Sequence, residues 1–286
     1  MKREIWHALS EVRKNCTSLN WWRNRVFVPY VIGTATRFHP KYPGYDDAVR
    51  VMEDDWDTLI VLDACRADTF QKVVDLSRYD QYSTRVSRGS HSSEWTRRNF
   101  GGQQFDDTVY VSANPHTSLI ASNSFHRIFE LWENDFDDDA GVVLPEIVRD
   151  AAIEAYEQFP NKRLIIHFMQ PHGPFIGSDI EKPYQSEDEY WHAYEQNLEY
   201  VLPYVDDIIE SIPGKTAVTA DHGQIYSIGL KSRLGLGGHP PRVRYPGLVN
   251  VPWATTDGER REIQEGEISE AGSERIEERL EQLGYL

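Results

Sequence analysis

The sequence predicts a three-layer α/β/α sandwich with a mostly parallel central sheet, and three observations predict it. Short apolar runs end abruptly in chemistry-bearing residues: residues 58–62 at Asp63, 109–111 near Asn114, 164–168 at a Pro/Gly loop holding His172, and 215–220 at Asp221-His222. Helical patterns separate these runs, as they do when parallel strands are joined by crossover helices. At 286 residues the chain is long enough for one such domain with a sizeable core.

Taken in order, residues 4–28 read as one or two amphipathic helices, and residues 38–44 as a Pro/Gly linker. This divides the chain into an N-terminal segment, 1–44, and a single domain, 45–286. Within the domain, 46–55 reads as a short helix, 58–62 as a buried strand, 68–76 as a helix and 81–86 as a short strand. Gly89 precedes a Ser cluster and then a helical segment to Phe100, which offers hydroxyls at a helix start. Such residues are most often plain caps, but the same free amides can hold an anion.

Pro115 ends the strand at Asn114. Helical patterns follow at 118–133 and 143–158, separated by an acidic run, 134–141, that lacks the ligand spacing of an EF-hand and reads as a solvated loop. Two prolines and a glycine fix the loop around His172, so that imidazole is expected to face a site. Residues 187–210 carry one apolar face, with Pro203 expected to kink the helix. A Gly/Pro/Arg-rich loop, 229–247, holds His239, an edge strand follows at 249–253, and the tail from Glu259 reads as a charged helix anchored by Ile268, Ile276, Leu280 and Leu283.

Composition narrows function. The net charge of −16 argues against general nucleic-acid binding, which requires local cation excess. Arg outnumbers Lys 22 to 8, and that bias with an acidic surface is compatible with a halophilic, high-salt cytoplasm. Two cysteines make no framework, and Cys65 reads as packing, so no disulfide and a reducing compartment are expected. No run approaches the roughly 20 apolar residues of a membrane span, and no signal-peptide core is visible. A cytoplasmic protein is expected.

Charge is uneven, however. Residues 1–41 carry +6, with Trp6, Trp21 and Trp22 interleaved. The segment is expected to pack on the domain through its tryptophans, with contact of residues 1–30 with an anionic membrane surface as the alternative.

Open α/β sheets bind ligands beyond the carboxyl ends of their strands, and here that edge collects two carboxylates and an imidazole. Asp63, Asp221 and His222 together suit a divalent transition metal such as Zn or Mn better than Ca, which prefers oxygen ligands alone. Each residue alone has a plain reading as a cap or a satisfied polar group.

The motif Val61-Leu-Asp63-Ala-Cys-Arg66-Ala-Asp68 resembles the first metal-ligand motif of the sulfatase-like branch of the alkaline phosphatase superfamily. Asp221-His222-Gly223 is similar to that branch's late Asp-His-Gly motif, His172-Gly-Pro to its substrate-anion loop, and Gly89-Ser90 to its nucleophile turn. The order and separations fit over residues 55–255.

The resemblance implies an alkaline-phosphatase-like fold and a metal-dependent hydrolase or transferase cleaving phosphate, or secondarily sulfate, esters through a covalent seryl intermediate. It implies Asp63, Ser90, Asp221 and His222 as ligands of a divalent ion (Zn, Mn, Mg or Ca, one rather than two). Ser90 would be the nucleophile, with Ser92 and Ser93 as rivals, and His172 a catalytic donor to the anion. Arg66, Asn114, His172 and His239 would bind a glycan- or lipid-linked anionic ester, which Arg88 and Arg242 would help to draw in.

Ser90-His-Ser-Ser-Glu lacks the Pro and Arg of formylglycine sulfatases, and Gln170 and Ala64 stand where relatives carry further acids. The Thr/Ser-nucleophile phosphotransferases are the nearer type. The competing class is a catalytically inactive sulfatase-like domain that binds a glycan or protein partner. A Rossmann nucleotide binder is set aside, because Gly235-x-Gly-Gly follows no strand.

Overall fold

The computed structural model describes residues 12–180, 182–226 and 237–268. Its centre is a seven-stranded sheet: β1 (Thr58–Leu62), β2 (Gln81–Val86), β3 (Phe105–Ser112), β4 (Phe125–Glu130), β7 (Arg163–Phe168), β8 (Thr216–Thr219) and β9 (Asn250–Thr256). A small hairpin of β5 (Phe136–Asp137) and β6 (Val142–Val143) stands apart. The spatial order is β2-β9-β8-β1-β7-β3-β4. β1 pairs in parallel with both β7 and β8, β3 with β7 and β4, and β9 alone runs against the rest.

The strands of the sheet centre are buried and largely apolar because both faces are covered, as expected of parallel sheets. Their side chains alternate between two cores. Ile60, Leu62, Val109, Val111, Leu164 and Ile166 face one layer. That layer comprises α1 (Ala67–Val73), α4 (Pro145–Gln158) and α5 (Glu187–Ser211). Leu59, Val61, Tyr110, Ile165 and Ala217 face the other with Trp56, Trp95 and Phe100. There α2 (Ser92–Asn99) packs beside α3 (His116–Ala121). This is the expected α/β/α sandwich.

Local chemistry sets the helices. α4 starts with Pro145 in its first turn, where a missing N–H costs nothing, and buries Val148, Ala152 and Ala155 at helical spacing. α5 is capped by Ser186, whose hydroxyl accepts the Glu189 N–H at 3.1 Å, and its first turn carries three acids that complement the dipole. Pro203 lies inside α5 without ending it.

Five expectations need correction. β9 is not an edge strand, because β2 pairs along its outer side while β8 holds its inner side. Residues 118–133 are not one helix: α3 ends at Ala121 and the edge strand β4 follows, its buried Phe125 and Ile128 at a three-residue spacing that mimics a helix. Residues 46–55 form only a 3₁₀ turn, Val51–Glu53, after Ala48 bridges to Val86. The acidic run is not all loop, since it enters the β5–β6 hairpin through Phe136 and Asp137, with Asp137 Oδ1 accepting the N–H groups of Asp139 and Ala140. The tail has no helix up to Ile268, where the description stops; Ile276, Leu280 and Leu283 lie outside the described residues, as do Trp6 and residues 229–236 of the loop at 229–247.

Ahead of the sheet, Leu19–Trp22 is α-helical, Arg23–Ile32 π-helical and Gly33–Arg37 α-helical. This run extends past the expected end at residue 28 and docks by Val28 and Ile32 against Val243, Leu248 and Val249. Trp22 is not a docking residue, being partly exposed.

Candidate metal centre

Asp63 follows β1 directly, its N–H bonded to Phe168 O of β7. Asp221 follows β8, and His167 is the penultimate residue of β7. The parallel pairing of β1 with both neighbours brings the three to one point: one ligand atom from each lies within 4.8 Å of the others, and all three are fully buried. His167 Nε2 stands 3.6 Å from Asp63 Oδ2 and 4.0 Å from Asp221 Oδ2. Its Nδ1 lies 2.9 Å from the Tyr110 hydroxyl, which orients the ring.

His222 joins the same cluster. Its Nδ1 lies 2.7 Å from Gly223 O, which can only accept, so in the neutral ring Nε2 offers a lone pair. That Nε2 is 3.4 Å from Asp221 Oδ2 and 3.7 Å from Asp63 Oδ1. Asp221 Oδ1 accepts the N–H groups of Ala64 (3.0 Å) and His222 (2.8 Å). Its Oδ2 carries no hydrogen bond among the described residues, and the same is true of His167 Nε2. A buried oxygen and a buried ring nitrogen left facing one another cost free energy unless something completes them. The donor set therefore fits a divalent transition metal: Asp63, His167, Asp221 and His222 would hold it.

The neighbourhood is tightly held. Asn114 donates to Asp63 Oδ2 at 2.6 Å and accepts the His116 N–H on its Oδ1. Ala64 adopts φ +60°, in the left-handed region, where its N–H meets Asp221 and its carbonyl accepts from Tyr194 at 2.7 Å. Burial alone would raise the Asp63 pKa, but the His167 contact and the nearby His172 and His222 hold it well below the usual range.

The Ser row divides its hydroxyls among different partners. Ser92, the first residue of α2, lies 3.3 Å from Asp63 Oδ2 and 3.2 Å from His222 Nε2. Ser93 turns to His91 Nδ1, which caps the helix. Ser90 does not reach the cluster: its hydroxyl donates to Pro240 O at 2.9 Å and to Glu94 Oε2 at 3.3 Å. The physical reason is the turn at Gly89, packed so closely on Trp95 that a Cβ there would lie 2.5 Å from the Trp95 nitrogen. That fold-back turns Ser90 away and brings Ser92 inward.

A wall of imidazoles closes the site. His172 and His239 face each other with their Nε2 atoms 3.0 Å apart, and His239 stacks on His222 at 4.8 Å. His91 lies between His116 and His239, with ring centres 5.2 and 5.0 Å away. Burial, followed by the proximity of other imidazoles, pushes His91 and His239 well below the usual pKa. Burial also lowers His172, and takes His116 down to about 3.

Arg66 is engaged elsewhere. Its guanidinium binds Asp68 and the Gln224 carbonyl, sits 4.8 Å from the Trp191 ring centre, and lines a 400 Å³ pocket with Tyr42 and Tyr245. Arg88 donates to Arg98 O, and Arg242 lies over Tyr30. Cys65 is buried, with its thiol pushed up by burial, in keeping with a packing role.

His167, His91 and His116 were not singled out by sequence as site residues. The signal for His167 was present: it is the only polar residue in the apolar part of its strand, 164–168, one position from the strand's functional end. His91 and His116 directly flank Ser92 and Pro115, but no spacing rule marks them.

No family model matches the sequence, and no curated protein matches it. Among solved structures, the chain is similar to the soluble domain of lipooligosaccharide phosphoethanolamine transferase A from Neisseria meningitidis. The identity is 13%, the match covers 71% of this chain and 76% of that one, and the TM-score is 0.48. It is also similar to the C-terminal periplasmic domain of EcEptC from Escherichia coli in complex with Zn, at 10% identity, 71% and 72% coverage and TM-score 0.48. A third is an alkaline phosphatase superfamily protein from Vibrio parahaemolyticus, at 12% identity, 84% and 69% coverage and TM-score 0.43.

Proposed function

We propose that the chain is a metal-dependent enzyme of the alkaline phosphatase superfamily that cleaves phosphate esters through a covalent intermediate on Ser92. The observation that carries this reading is the Ser92 hydroxyl, set at a helix start within 3.3 Å of both a buried carboxylate and a ring nitrogen. A divalent ion bound there would lower the serine pKa and offset charge on the transferring group.

The protein's own groups do the rest. Asp63 Oδ2 faces Ser92 Oγ at 3.3 Å, and Asn114 fixes that carboxylate by donating to the same oxygen. His172 and His239, with their Nε2 atoms 3.0 Å apart, form the imidazole wall beside His222 that would border a bound anion. Ser92 Oγ releases its proton to solvent and bonds to phosphorus as the ester P–O bond breaks, the ester oxygen leaving with the electron pair and taking a proton from solvent. Water then attacks phosphorus, the P–Oγ bond breaks, Oγ regains a proton, and inorganic phosphate is released.

The test is turnover of aryl phosphate monoester, diester and sulfate by purified protein, with metal content measured on the same samples. Ser92→Ala is expected to lose turnover by on the order of 10⁶-fold, as nucleophile replacements do. Ser90→Ala should keep it within about tenfold, because its hydroxyl serves Pro240 and Glu94. Phosphate trapped on Ser92, found by peptide mass spectrometry, would support the intermediate. Unchanged turnover in Ser92→Ala with loss in Ser90→Ala would overturn the assignment.

A further inference from the structure

We infer that the helical segment preceding the domain is an interfacial anchor that seats the protein on an anionic lipid bilayer. The inference does not depend on the chemistry proposed for the metal centre. Its first observation is exposure. Leu19 (85%), Phe38 (75%), Tyr30 (53%), Val31, Phe27 and Trp22 are large apolar side chains open to solvent, within a stretch of twenty residues. The opposite side of the same helical run, with Val28, Pro29 and Gly33, is buried against the domain. The segment is thus held by one side and presents the other.

The second observation is charge. Residues 12–41 hold six cations, Arg13, Lys14, Arg23, Arg25, Arg37 and Lys41, and no acid, in a chain of net charge −16. A cationic, aromatic-rich face on an otherwise acidic protein complements a negatively charged lipid surface, where aromatic rings settle at headgroup depth and Lys and Arg meet phosphates. No helix among the described residues is long and apolar enough to cross a membrane, so the segment would lie on the bilayer.

The third observation is placement. The helix docks on the 240–249 loop: Gly33 packs on Arg242, whose guanidinium sits 4.4 Å from the Tyr30 ring centre. That loop supplies Pro240 O to Ser90 and the Arg242 N–H to Glu94, and it leads directly from His239. A bilayer met by this face would lie on the His239 side of the site, where an ester carried by a lipid could reach it.

The experiment is co-sedimentation of the full chain with vesicles of phosphatidylcholine alone or mixed with phosphatidylglycerol. Binding to the mixed vesicles only, weakened by added salt, is expected. Leu19→Glu/Phe27→Glu/Val31→Glu should lose at least tenfold in partitioning, and Lys14→Gln/Arg25→Gln/Lys41→Gln at least as much, at about fivefold per charge near the surface. Both should keep the thermal transition, metal content and turnover of a soluble aryl phosphate. Leu19→Glu alone, at the most exposed position, serves if the triple variant fails to fold. Absence of binding to anionic vesicles, or undiminished binding by the variants, would overturn the proposal. So would a wild-type dimer that these substitutions convert to monomer, because a second copy would then cover the face.

Discussion

Replacing Glu94 by Gln removes the charge that ties three parts of the molecule together. The buried carboxylate accepts four hydrogen bonds and shares a fifth, from the Ser90 hydroxyl, with Pro240 O. Oε1 receives the Tyr45 hydroxyl at 2.6 Å and Arg98 Nε at 3.0 Å. Oε2 receives the Arg242 N–H at 3.0 Å and the Ser90 N–H and hydroxyl at 3.3 Å. A Gln side chain must turn its NH₂ toward one of these sets. Facing two backbone N–H groups is the worse choice, so the amide nitrogen will take the Oε1 position. Tyr45 can rotate to accept there, but Arg98 cannot. One charge-assisted bond is then lost, at roughly 1.5–3 kcal/mol, and the remaining bonds weaken with the charge, for a total of about 3 kcal/mol. For a domain of this size that lowers Tm by about 6–12 °C.

Burial would raise the Glu94 pKa, but the Tyr45, Arg242 and Arg98 contacts leave it below its ordinary value. Its contribution is therefore complete above about pH 4.5 and fades as pH falls through the lower folded value. Tyr45, pushed up to about 12 by burial and by Glu94, stays a donor throughout this range. Urea denaturation of parent, Glu94→Gln, Tyr45→Phe and the double variant measures the loss and the coupling, expected to exceed 0.5 kcal/mol, roughly the additivity limit for independent sites. A Glu94→Gln protein within about 0.5 kcal/mol of the parent, a range usual for neutral surface changes, would refute the reasoning.

His116, with its pKa near 3, is neutral when folded and binds a proton on unfolding below about pH 6.5. Stability should thus fall on acidification, by about 1.6 kcal/mol between pH 6.5 and 5 from this residue, and His116→Gln should flatten the stability–pH slope near pH 5 by about one proton. An equal slope in both proteins would count against it. Ala64→Gly relieves a left-handed backbone worth about 1–2 kcal/mol, offset by a buried methyl and by glycine's chain entropy. It should therefore cost much less than Ala217→Gly in β8, and equal costs in denaturant titration would be contrary. Divalent metal added to chelator-treated protein at about a hundred times its Kd should stabilise the fold by about 2.7 kcal/mol. Asp221→Asn should abolish that shift in a thermal melt; a shift that persists would place the ion elsewhere.

The central sheet was legible because β1, β7 and β8 are short, largely apolar runs that lead into polar residues, a pattern with few other physical solutions. Asp63, Asp221 and His222 were legible for the same reason. β4 was not, since an edge strand with one packed side places its apolar residues irregularly. The choice between Ser90 and Ser92 was also hidden: it depends on how tightly Gly89 folds onto Trp95, a contact between backbones that no residue pattern encodes. His167 was concealed by its strand, whose apolar neighbours suggest burial alone.

The pairing of β1 has a consequence for how the protein acquires its site. Thr58 lies beside Leu164 and Thr216, so the strand that carries Asp63 waits for partners more than a hundred and more than a hundred and fifty residues further along the chain. Contacts this distant close slowly, because loop entropy is lost before they form. Asp63 and Asp221 therefore meet only when the last central strand has been inserted. Recovery of metal binding after dilution from denaturant should lag behind the return of helical signal, marking completion of the sheet.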